Sequence, residues 1–176
     1  MSPARALVFA LALAGLTACA TAPPPPVAAN SGLGGTMRPY QIGGLWYYPQ
    51  VQPGYDRQGL ASWYGAAEHH RKTADGEVFD MNIASAAHTT LPLPSLVEVT
   101  NLDNGRRIRV RVNDRGPFVR GRIIDLSRQA AKDLGFYQQG MARVRVRYVG
   151  PAPRDGYAVT SSVRRVEAAE MSPVPF

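Results

Sequence analysis

The sequence predicts a mostly β protein, a small closed barrel of five or six short strands with one or two short helices, over residues 58–150. Two observations carry this. Arg107-Ile108-Arg109-Val110-Arg111-Val112 and Arg143-Val144-Arg145-Val146-Arg147-Tyr148 alternate strictly, as half-buried strands do. Turn chemistry then recurs at short intervals between apolar runs, and closure removes the edges that such short strands would otherwise expose. In chain order, Gly59–Tyr64 reads as a first strand and Thr73-Ala74-Asp75-Gly76 as a turn. Ser85–His88 reads as a single helical turn. Leu96–Thr100 alternates as a strand, and Asp103-Asn104-Gly105 joins it to Arg107–Val112 as a hairpin. Arg122–Leu126 is a further short strand. Ser127 is placed to cap a helix over Arg128–Leu134, ended by Gly135, before the last strand. The six alternating arginines read as a solvated barrel exterior.

The chain has 176 residues, a formal net charge of +7, 45% hydrophobic and 19% charged residues, and one cysteine. That apolar content excludes wholesale disorder, and a lone cysteine excludes an intramolecular disulfide. Ala6–Leu16 is uncharged and apolar, short for a membrane span and suited to a signal-peptide core. Leu16-Thr17-Ala18-Cys19 follows and resembles the lipobox of bacterial lipoproteins. Residues 1–18 are therefore expected to be a signal peptide and Cys19 the lipidated residue. Ala20 rather than Asp after the cysteine points to the outer membrane, facing the periplasm. Residues 19–57 are Pro- and Gly-rich and read as a linker. Trp46-Tyr47-Tyr48-Pro49 interrupts it and is expected to pack on the domain edge. Residues 151–176 lose periodicity and read as a tail. Positive charge raises nucleic acid as a partner, but export argues against it. The acidic polymer within reach of such a lipoprotein is peptidoglycan.

Five motifs then appear in order: Ala61-Ser62-Trp63-Tyr64-Gly65; Thr73-Ala74-Asp75-Gly76-Glu77-Val78-Phe79-Asp80-Met81; Ala86-Ala87-His88-Thr89-Thr90-Leu91-Pro92; Val112-Asn113-Asp114-Arg115-Gly116-Pro117-Phe118; and Gly121-Arg122-Ile123-Ile124-Asp125-Leu126-Ser127. The series resembles the RlpA-like (rare lipoprotein A) family. The resemblance implies a six-stranded double-psi β-barrel. It also implies a lytic transglycosylase, which cuts the MurNAc–GlcNAc bond of peptidoglycan glycan strands and leaves a 1,6-anhydro end, with a preference for strands stripped of stem peptides. Expansins share the fold, so the alternative is a non-catalytic, expansin-like wall binder. Many members carry a C-terminal SPOR domain, and residues 151–176 are too few to hold one. No cofactor is expected, and no protein partner is indicated.

Breaking a glycosidic bond requires an acid at the leaving oxygen. A hydrolase normally adds a second carboxylate, whereas an intramolecular hydroxyl lets one carboxyl serve as acid and then base. Asp114, after a strand and before Gly116-Pro117, is the candidate acid. Its alternative is a loop carboxylate capping backbone amides. An ordinary Asp is ionised at neutral pH, so this role needs burial or a nearby carboxylate to hold the proton. Arg115 would oppose that and is expected to point elsewhere. His88 matches the histidine that the family pairs with this aspartate. Glu77 matches a third polar position, as second carboxylate, perturber of the acid, or glycan hydrogen-bond partner. Tyr64, Phe118 and Asn113 are assigned to substrate contact, with packing in the core the alternative for Tyr64 and Phe118. Asp125 reads as structural. His69, His70 and His88 show no zinc-motif spacing, so no metal site is expected.

Overall fold

The structure, a computed structural model, describes residues 35–153. Cys19, the apolar segment before it and the tail from residue 154 lie outside the described residues. A single 3₁₀ turn (Gly35–Met37) leads into a short hairpin, β1 (Tyr40–Ile42) and β2 (Leu45–Tyr47). Six strands follow: β3 (Asp56–Tyr64), β4 (Ser85–Ala87), β5 (Ser95–Asn101), β6 (Arg107–Asp114), β7 (Arg122–Ser127) and β8 (Met141–Pro151). They close into a barrel in the order β3-β7-β4-β6-β5-β8. β3 runs parallel to β7 and β4 parallel to β6; the other neighbours are antiparallel.

The alternating runs fill the interior. Val97 lies opposite Val110, and Val99 lies opposite both Ile108 and Val146. These side chains, with Val112, Ile124, Leu126 and Val144, are buried. Each contributes roughly 1.5–3 kcal/mol on burial, before chain entropy is counted. Helix α1 (Arg128–Asp133) packs Ala130 and Ala131 into the same core. Ser127 caps it as expected, its Oγ accepting from Ala130 N–H at 3.2 Å. Gly135, at φ +75°, follows; a Cβ there would meet Arg106 Nη1 at 2.8 Å.

Three expectations change. Ser85–Ala87 is a strand, not a helical turn. These three small residues carry no alternation, and pairing to β6 on one side and β7 on the other makes them β4. The segment read as linker is structured from Gly35 onward. Gly43 and Gly44, at φ +56° and +80°, form a tight hairpin turn instead of loosening the chain. The hairpin is docked as well: Tyr40 Oη donates to Thr89 C=O at 2.8 Å, and Thr36 Oγ1 donates to Leu93 C=O at 3.3 Å. The third change concerns Arg111. Arg107, Arg109, Arg143, Arg145 and Arg147 are exposed, and several pair with carboxylates, such as Arg147 with Glu98 at 2.6 Å. Arg111 points outward too but is only 4% exposed, because the 73–77 turn and residue 153 cover it.

Candidate active site

β6 delivers Asp114 to the rim of the barrel as its last residue. Gly116, at φ +134°, then turns the chain away in a backbone conformation that favours glycine. Asp114 is half-buried. Its Oδ1 accepts from the N–H of Arg115 at 2.8 Å and of Ala74 at 2.9 Å. Its Oδ2 accepts from none of the described residues. Burial holds the Asp114 pKa above the ordinary carboxylate value. The two backbone N–H bonds pull it down, the Asp75 charge adds to the rise, and the Arg115 charge acts against it least strongly.

Arg115 points elsewhere, as expected. Nη1 donates to the carbonyls of His88 at 3.1 Å and Leu91 at 2.7 Å, and Nη2 donates to Thr36 C=O at 2.6 Å. The guanidinium also lies 5.8 Å from the centre of the Tyr40 ring. It therefore ties the loop that carries Asp114 to the 88–91 segment and to the N-terminal segment.

Glu77 faces Arg111 and Asn113. Arg111 donates to it from Nε at 3.2 Å and from Nη2, and Asn113 Nδ2 donates to Oε2 at 2.8 Å. Arg111 Nη1 also donates to Pro153 C=O at 2.6 Å. Both Glu77 oxygens are thus engaged. A cavity of about 760 Å³ opens beside this cluster, lined by Asp75, Glu77, Arg111, Leu93 and Thr36 among others. Asp114 does not line that cavity; it contacts the 73–77 turn through Ala74.

His88 is adjacent to Asp114 only through the backbone, its N–H donating to Asp114 C=O at 3.0 Å. Its ring turns inward and is 3% exposed. Nδ1 accepts from Thr90 and Leu91 N–H at 3.1 and 3.0 Å, so the ring proton sits on Nε2, 2.9 Å from Tyr55 Oη. Burial, then the Arg115 charge, lowers its pKa to about 3. The ring is neutral and makes no hydrogen bond to the Asp114 carboxyl.

Of the proposed substrate contacts, Phe118 is 42% exposed and packs edge-on against Tyr47 and Tyr40, with ring centres 5.5 and 6.2 Å away. Tyr64 stacks on buried Phe79 at 4.5 Å. Asn113 is fully buried beside Glu77. Asp125 accepts from Ser62 Oγ at 2.7 Å and from Arg122 Nη2 at 3.3 Å, a structural arrangement between strands. His69 and His70 stack on each other, and among the described residues no three His, Cys, Asp or Glu side chains gather to hold a metal.

Sequence reasoning missed Arg111, Tyr55 and Asp75. Arg111 has the same alternating context as its exposed neighbours, so periodicity held no signal for it. Asp75 was visible only as a turn residue.

Residues 56–146 match the family described as lytic transglycolase. The chain is 50% identical over 122 residues to the endolytic peptidoglycan transglycosylase RlpA of Campylobacter jejuni, covering 69% of this chain and 44% of that protein. It is 54% identical over 114 residues to the protein of the same name from Pseudomonas aeruginosa, covering 64% and 33%. The chain thus spans less than half the length of these relatives. Among solved structures, the Streptomyces papain inhibitor aligns with a TM-score of 0.47 at 25% identity, over 57% of this chain and 99% of that one.

Proposed function

The chain belongs to the lytic transglycolase family, and we propose that it cleaves the MurNAc–GlcNAc bond of peptidoglycan glycan strands without adding water. The observation that carries this reading is Asp114: a half-buried carboxyl with one oxygen held by two backbone N–H groups and the other open. Burial favours its protonated form. Its proton passes to the glycosidic oxygen as the bond to C1 breaks. The C6 hydroxyl of the same MurNAc attacks C1, and its proton passes to Asp114, restoring the acid and leaving a 1,6-anhydro end. Neither carboxyl of the adjoining 73–77 turn is free to activate water: Glu77 is engaged by Arg111 and Asn113, and Asp75 is buried. That supports an intramolecular nucleophile over the two-carboxylate arrangement of hydrolases. His88 and Arg115 hold the 88–91 segment against the acid's loop, and Phe118 is the exposed aromatic on that loop.

Leu16-Thr17-Ala18-Cys19 supports lipid attachment at Cys19 and a site of action at the outer membrane, facing the periplasm. Stripped strands are the preferred substrate in this reading.

The test is incubation of the purified protein with glycan strands, intact and stripped of stem peptides, followed by mass spectrometry. Products lighter by one water than hydrolysis products are expected. Asp114→Asn should lower their yield by about 10²–10⁴, the usual contribution of general acid–base catalysis. Binding without products would replace this reading with an expansin-like binder.

A further inference from the structure

Asp75 is a buried carboxylate to which the mechanism above gives no role. Its side chain is 6% exposed. Oδ1 accepts from Thr73 Oγ1 at 2.7 Å and from Glu77 N–H at 3.2 Å. Thr73 and Glu77 are further joined through their backbones at 2.8 Å, and Gly76 N–H donates back to Thr73 C=O at 3.0 Å. Asp75 is therefore the side chain that closes the 73–77 turn. That turn reaches the acid's strand twice: Asp75 N–H donates to Asn113 C=O at 3.2 Å, and Ala74 N–H donates to Asp114 Oδ1 at 2.9 Å.

The charges around this turn are unbalanced. Asp75 and Glu77 sit on the turn, and Asp114 is hydrogen-bonded to it through Ala74 N–H. Arg111 is hydrogen-bonded to Glu77 and lies 3.9 Å from Asp75 Oδ2. The other nearby cation, Arg115, spends its guanidinium donors on His88, Leu91 and Thr36 carbonyls. Tyr40 and His88 also lie near Asp114; burial raises Tyr40 to about 12 and lowers His88 to about 3, so both stay neutral. Among the described residues Asp114 thus forms no ion pair, and the charge that Asp75 carries above its own burial-raised pKa adds to the rise at Asp114.

We propose that Asp75 is a positioning residue for Asp114: its carboxylate closes the turn that fixes one Asp114 oxygen, and its negative charge acts on the other. The inference rests on the assignment of Asp114 as the acid and extends it. Burial of Asp114 and the Asp75 charge act in the same direction on its proton.

Asp75→Asn and Asp75→Ser each keep an acceptor for the turn and remove the charge. The experiment follows the Asp114 carboxyl carbon by NMR through a pH titration in the full chain, beside the pH dependence of glycan cleavage. Both variants should lower the Asp114 midpoint by about one pH unit, the lower end of the shift that a nearby charge produces. The alkaline limb of the activity profile should move down with it, giving about a ten-fold lower rate at pH values above both midpoints and recovery at lower pH. Loss of turn structure alone would lower the rate equally at all pH. An Asp114 titration superimposable on wild type in both variants overturns the proposal. Wild-type protein that yields no glycan products, with the Asp114 midpoint still moved by both variants, supports the role of Asp75 while refuting the transglycosylase reading.

Discussion

Replacing His88 by Asn removes a ring that folding keeps neutral. In the folded chain both nitrogens are committed, Nδ1 to two backbone N–H groups and Nε2–H to Tyr55. Its pKa is about 3 when folded, from burial first and the Arg115 charge second, against 6.5 for an ordinary histidine. Between those values the unfolded chain takes up a proton that the folded chain refuses. The stabilisation is therefore complete above pH 6.5 and is lost as pH falls towards 3, at about 1.4 kcal/mol per pH unit. At pH 5 the loss amounts to about 2 kcal/mol. In the variant, Asn Oδ1 can take the place of Nδ1, and the unpaired Tyr55 hydroxyl costs about 1–3 kcal/mol at neutral pH. The variant does not titrate at this position, so the stability gap between the two proteins should narrow by about 2 kcal/mol from pH 7.5 to pH 5. Urea unfolding of both at each pH measures this. A gap that stays constant would refute a neutral, buried His88. It would also reopen a proton-transfer role for the ring.

Three further outcomes follow from the same geometry. Arg111→Met leaves Glu77 and Asp75 buried without their cation and should cost about 3–5 kcal/mol in thermal or chemical unfolding; a loss no larger than that of an exposed arginine such as Arg109 would show that the cluster is solvated. Arg115→Gln removes charged donors from Thr36, His88 and Leu91 carbonyls. Hydrogen exchange of β1 and β2 should accelerate about ten-fold or more, and unchanged protection there would mean that the hairpin docks without this clamp. Cys19→Ala should move the protein from the membrane to the soluble fraction, whereas unchanged sedimentation would remove the lipid anchor from the reading.

The barrel was legible wherever a strand buries one face. In β5, β6 and β8 alternation alone marks the interior side chains, and the structure buries Val97, Val110 and Val144 accordingly. β4 was not legible, because Ser85-Ala86-Ala87 has neither alternation nor branched side chains. Its strand character is conferred by the neighbours that hydrogen-bond to it on both sides. The hairpin at residues 40–47 was hidden by glycine-rich composition, although its paired Gly43-Gly44 is the chemistry of a tight turn. At the site, the position of Asp114 at the end of a strand before Gly116 was legible, whereas its choice as candidate acid over a capping carboxylate came from the family resemblance. The covering of Arg111 and the inward turn of His88 depend on segments distant in sequence, and local pattern carries no record of them. Asp75 illustrates the same limit: turn chemistry and burial beside a second carboxyl look identical in the chain.

The hydrogen bond from Arg115 to Thr36 has a mechanical consequence. The described chain enters the fold at the loop that carries Asp114, not at the far end of the barrel. A pull on the backbone at Gly35 is borne first by the Thr36–Arg115 and Tyr40–Thr89 bonds, and only afterwards by the ladder between β3 and β8. Load on the N-terminal segment is thus applied one residue from Asp114. If Cys19 is fixed to a membrane, tension along the chain strains the loop that carries Asp114 before it strains the scaffold.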